Sequence, residues 1–173
     1  KCKDLSFFAY KARGVDDELT EDLFTTVPNV TSLRGFLRAY EDNGTAPKGL
    51  TGNIPENIFS NLTQVTDLAA FFAYNNKLTG EIPAKLFRDC RNVGTVVAIF
   101  QGCKGLTGGI PSSLFSSNTK LHRPKQAFEG CSGLNGEIPM TLFKNNPEIN
   151  NMEHTFYGCT NITGVLNSEF FNT

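Results

Sequence analysis

Two hydrophobic rhythms alternate along this chain, and both return every 28 residues. In the first, Leu78-Gly80-Ile82, Leu106-Gly108-Ile110 and Leu134-Gly136-Ile138 take alternate positions. A period of two predicts a short strand with one face buried. Glycine at the middle inward position implies a narrow coil in which another backbone comes close. Each strand ends at an Ile-Pro pair, with Ile at 54, 82, 110 and 138, because proline lacks the amide donor.

The second rhythm spaces apolar residues three and then four apart: Val65, Leu68, Phe72; Val93, Val96, Phe100; Ile149, Met152, Phe156. That spacing predicts a helical segment. Asn146-Pro147 reads as an N-cap followed by a first-turn proline. Gly102, Gly130 and Gly158 fall where a helix C-cap glycine belongs. Pro124 interrupts the third copy and predicts a shortened or irregular helix there.

Phenylalanine keeps the same interval. Phe59, Phe87, Phe115, Phe143 and Phe171 form one set, and Phe72, Phe100, Phe128 and Phe156 a second. Units this short bury an apolar face only by stacking on neighbours. The expected fold is therefore an α/β solenoid, a right-handed coil of about six repeats with one short parallel strand and one helical segment each. Earlier units are degenerate: Leu23-Phe24 precedes Ile58-Phe59 by 35 residues, and Val30, Leu33 and Leu37 match the helical triplet. The extra seven residues fall in the polar, turn-rich stretch 41–49, read as an inserted loop in one domain over 1–173. The sequence stops partway through a unit, which predicts an open apolar end contacting a larger assembly.

The run Phe128-Glu129-Gly130-Cys131-Ser132-Gly133-Leu134-Asn135-Gly136-Glu137-Ile138-Pro139 resembles the consensus of BspA-like leucine-rich repeats. Asn151 to Cys159, followed by Thr160-Asn161-Ile162, resembles it again. The resemblance implies a bacterial cell-surface or secreted protein. A second pattern, Leu68-x2-Phe71-x-Ala73-x2-Asn76-x-Leu78-Thr79-Gly80-Glu81-Ile82-Pro83, resembles plant-type leucine-rich repeats and would move the main strand to residues 68–73. The first register is preferred, because Gly102-Cys103 and its successors replace the asparagine expected in the second.

Charge and chemistry narrow the function. The formal net charge is -1 with no basic stripe, which argues against nucleic acid. The longest apolar run, Val96 to Phe100, falls far short of the ~20 residues of a membrane span. No secretory signal opens the chain at Lys1, so export would need a segment upstream. Five cysteines cannot all pair. Cys103, Cys131 and Cys159 recur at equivalent points and predict a buried ladder of reduced thiols. No paired cysteines or nearby histidine suggest zinc, and no metal or cofactor is expected. His122 and His154 occupy different points of their repeats and read as solvated helix residues. Glu81 and Glu137 lie two coils apart, roughly 10 Å, near the limit for an inverting carboxylate pair. Nothing else supports catalysis, so they read as solubilising charge.

The expectation is a non-enzymatic recognition module. Its outer sheet face carries Thr51, Asn53, Thr79, Glu81, Thr107, Asn135 and Glu137, with Glu41 and Asp42 in the loop at one rim. Such a face suits a protein, peptide or glycan, and the resemblance implies adhesion or ligand capture. The alternatives are a structural spacer or accessory subunit of a surface assembly and, further off, a polysaccharide hydrolase.

Overall fold

A computed structural model describes residues 2–8, 18–39 and 49–171. The stretch 41–48, with Glu41 and Asp42, lies outside them. The first rhythm supplies the strands: β1 (Gly52–Asn53), β2 (Leu78–Thr79), β3 (Asn135–Glu137) and β4 (Asn161–Thr163). β1 pairs in parallel with β2, and β3 with β4. Between these two sheets, the Thr107 N–H donates to Gly80 O and the Asn135 N–H to Gly108 O, so the coils stay joined there too.

Glycine explains why these strands are so short. Gly52, Gly80, Gly108 and Gly136 have φ of +71°, +73°, +73° and +85°, the left-handed region, and turn the backbone out of its extended course. They are not the inward, narrow-coil glycines expected from the alternation: Leu78 and Ile82 are buried, whereas Gly80 is half-buried and Gly136 exposed. The close backbone approach occurs elsewhere. A Cβ on Gly133 would collide with the carbonyl oxygens of Leu106 and Lys104.

The second rhythm does not make a helix. Among the described residues the single helical element is the 3-10 turn Ser168–Phe171. In 68–75 the amides alternate in destination. Leu68, Ala70, Phe72 and Tyr74 donate to Thr95, Val97, Ile99 and Gln101 of the next coil. Phe71, Ala73 and Asn75 donate three residues back, to Leu68, Ala70 and Phe72. An α-helix needs every one of these N–H groups for the carbonyl four residues back. Here half cross to the neighbour, and Ala70, Ala98, Gln126 and His154 sit at φ of +56° or +57° to allow it. A non-glycine residue in that region costs about 1–2 kcal/mol, which the cross-coil bonds offset. Gly102, Gly130 and Gly158 are likewise left-handed, but Gly102 and Gly130 donate across coils and none of the three ends a helix. Pro124 removes one cross-coil donor, and Gln126, Phe128 and Gly130 continue the ladder past it. Asn146 is no N-cap either, being fully buried.

A third run is a row of β-turns after each Ile-Pro. Leu86, Arg88, Cys90 and Val93 donate to Pro83, Lys85, Phe87 and Cys90, and the pattern recurs at 111–121 and 139–149. The three runs enclose one core. Phe59, Phe87, Phe115 and Phe143 form a column with ring centroids 5.5 to 5.8 Å apart and planes within 14°. Phe72, Phe100, Phe128 and Phe156 form a second, at 5.6 to 5.7 Å. Phe170 then packs edge-on against Phe143 at 5.9 Å, covering the ring that the last unit was expected to leave open.

Polar side chains knit the same core. The thiols of Cys103, Cys131 and Cys159 donate to the carbonyls of Phe72, Phe100 and Phe128 in the preceding coil, at 3.0, 2.9 and 2.9 Å. Asn75 holds the equivalent place one coil earlier, donating to Leu37 O and accepting from Leu50 N–H. A parallel ladder runs through the turn row. Asn118 Nδ2 donates to Phe87 O and Cys90 O, and Asn146 Nδ2 to Phe115 O and Asn118 O.

Candidate functional site

Two exposed surfaces compete. The first bears the strand residues picked out by their alternation. Asn53, Thr79, Glu81, Thr107, Asn135 and Glu137 are exposed and Thr51 half-buried. Thr79 donates to Asn53 Oδ1 at 3.3 Å, and Glu81 packs where a Cβ on Gly108 would stand. These residues form a polar, mildly acidic row.

The second surface lies over the cross-coil ladder, where no site was expected. There Arg34, Thr95, Val97, His122, Arg123 and Lys125, with Gln126 and Asn151, line an open cleft of about 510 Å³. Backbone pairing in register builds it, since the parallel bridges Ser32–Asp67, Asp67–Thr95 and Thr95–Arg123 set equivalent residues side by side. His122 can lie against its neighbour because residue 94 is glycine; a Cβ there would stand 2.7 Å from His122 Cε1. His122 is thus half-buried in the cleft wall, not on a helix.

Ion pairs fix the charged walls. Arg34 meets Asp67 Oδ2 through Nε at 2.8 Å and through Nη2 at 2.7 Å. Lys125 Nζ lies 2.6 Å from Glu153 Oε2, and this contact holds the exposed Glu153 carboxyl below the usual carboxylate range. Arg123 is exposed and has no ion pair among the described residues. The cleft therefore has three cations on its lining, Arg34 and Lys125 already paired and Arg123 not, and no carboxylate among its lining residues.

Sequence reasoning missed the cleft because it read residues 93–100 and 121–128 as helix, which scatters 95, 97, 123 and 125 around an axis. The plant-type register, ranked second, places a strand there and would have aligned these positions in columns. Burial pushes the Cys103 thiol up to about 12 and Cys159 up to about 11, and Cys131 well above the usual range, so these groups are inert. Among the described residues no cluster of histidine, cysteine and carboxylate could hold a metal ion, and no helix is long and apolar enough to cross a membrane.

No family model and no curated protein matches the chain. Among solved structures it is similar to a chain in the plant peptide hormone receptor RGFR1 in complex with RGF2, at 24% identity and a TM-score of 0.44. The match covers 84% of this chain but only a quarter (25%) of that one.

Proposed function

We propose that this chain is a non-enzymatic binding module of the leucine-rich-repeat type, carried by a bacterial cell-surface or secreted protein and used for adhesion or ligand capture. The observation supporting this most is the cleft between Arg34 and Arg123, open to solvent and floored by a hydrogen-bonded ladder. A face braced across coils changes little on binding, so little ordering entropy opposes a ligand. The row of Thr79, Glu81, Asn135 and Glu137 is the rival contact surface. Binding of a protein, peptide and glycan panel by surface plasmon resonance, alongside melting temperatures, separates the two. Arg123→Gln should weaken binding at an unchanged melting temperature, whereas Glu81→Lys with Glu137→Lys should leave it intact. Loss of binding only in the second variant would move the site to the strand row, and no ligand from the panel would count against the module itself.

An accessory subunit docked in a larger surface assembly is the second reading. It is favoured by the exposed Tyr157, Val165 and Leu166 near the last coil, at 67%, 85% and 43% exposure. Concentration-dependent self-association that Val165→Ser with Leu166→Ser abolishes would support that contact.

A further inference from the structure

The geometry points to an acidic peptide as the occupant of the cleft, with one of its carboxylates held by Arg123. This rests on the binding-module reading and adds the ligand's chemistry to it. Positive charge sets the character of the lining, in which Gln126 gives its amide N–H to Glu129 and keeps Oε1 as an acceptor. Arg34, Arg123 and Lys125 can only donate. Thr95 Oγ1 and Asn151 Oδ1 each already take a backbone N–H, that of Val97 at 3.4 Å and that of Glu153 at 3.0 Å. That leaves the Thr95 hydroxyl hydrogen and the Asn151 amide hydrogens for a ligand. A concavity offering donors and positive charge suits a group that only accepts, and the guanidinium fork matches a carboxylate in two parallel bonds.

The carboxylates in contact with the lining already have partners, Glu129 taking the Gln126 amide. Asp67 holds Arg34, and Glu153 holds Lys125, so Arg123 is the cation left for an incoming anion. A peptide is favoured over an acidic sugar because no phenyl or phenol ring lines the cleft to stack a pyranose.

The test is an array of short peptides running from acidic to basic, with oligogalacturonate as the sugar arm, probed with the full chain at low and high salt. Binders should be acidic, and their affinity should fall at high salt. Arg123→Gln should lower it at least tenfold, Arg123→Lys should restore part of it, and Lys144→Gln, away from the cleft, should change nothing. Circular dichroism melts of each variant confirm folding. Binders without charge bias, or acidic binders indifferent to Arg123→Gln, overturn the inference while the module survives. Tighter binding of oligogalacturonate than of any peptide also overturns it. An array with no binder overturns the inference.

Discussion

Replacing Phe115 by alanine probes the stacking directly. Its ring is fully buried and lies between Phe87, at 5.5 Å and 9°, and Phe143, at 5.6 Å and 10°, with Phe128 touching at 6.4 Å. Truncating a buried phenylalanine costs about 3–5 kcal/mol, more where the walls cannot collapse. Here they cannot readily collapse, because turn bonds pin the chain on either side and Asn118 and Asn146 tie this row across coils. Each ring pair adds about 0.5–1.5 kcal/mol beyond area, and this substitution removes three, which puts the loss at the upper end of the truncation range. The expected loss is therefore about 4–5 kcal/mol, a third or more of the stability of a typical domain. Phe8→Ala is the control. Its ring is 77% exposed and, among the described residues, stacks on Phe36 alone, so it should cost less than about 1 kcal/mol. Urea unfolding followed by circular dichroism measures both. A loss below about 1.5 kcal/mol for Phe115→Ala, or one equal to that of Phe8→Ala, would refute the column argument.

Three further outcomes follow from the same geometry. Gly133→Ala should cost several kcal/mol, because its Cβ meets two fixed carbonyls, while Gly136→Ala, with nothing within 4 Å, should cost only about 1–2 kcal/mol for its left-handed backbone; chemical denaturation distinguishes them, and equal losses would contradict the approach described. A thiol reagent at pH 8 should label Cys2 alone in the folded chain and all five cysteines in urea, since the other four are buried. Stability should hold below pH 9, where both states keep the thiol proton, then fall towards pH 12, as the unfolded chain releases protons the folded one retains on Cys103. The slope is about 1.4 kcal/mol per pH unit per thiol, and Cys103→Ala should flatten it; an unchanged slope would show the thiol is not held protonated by folding.

The repeat was legible because it depends on residue identity at fixed intervals, and the columns stand where spacing put them from Phe59 to Phe143 and from Phe72 to Phe156, whereas the ring that meets Phe143 next is Phe170, off the interval. Local conformation was not. Val93, Val96 and Phe100 satisfy helical spacing, but spacing says only which side chains share a side. Overlapping turns return the chain to the core at the same intervals, and the choice between them is made by amides finding carbonyls 27 residues away. Glycines misled for a related reason. Gly80 and Gly133 look alike in sequence, yet one answers a positive φ and the other a neighbouring carbonyl. Arg34, Arg123 and Lys125 carry no motif; they become a cleft only once coils far apart in sequence lie side by side.

The pairing of amides across coils underlies every other statement, and it can be observed directly. Scalar couplings transmitted through hydrogen bonds, recorded by NMR on labelled protein, should link the Ala98 nitrogen to the Lys125 carbonyl carbon and the Phe100 nitrogen to that of Ala127. Couplings from those nitrogens to the carbonyls of Gly94 and Val96, four residues back, would instead mean a helix and contradict the stacked ladder.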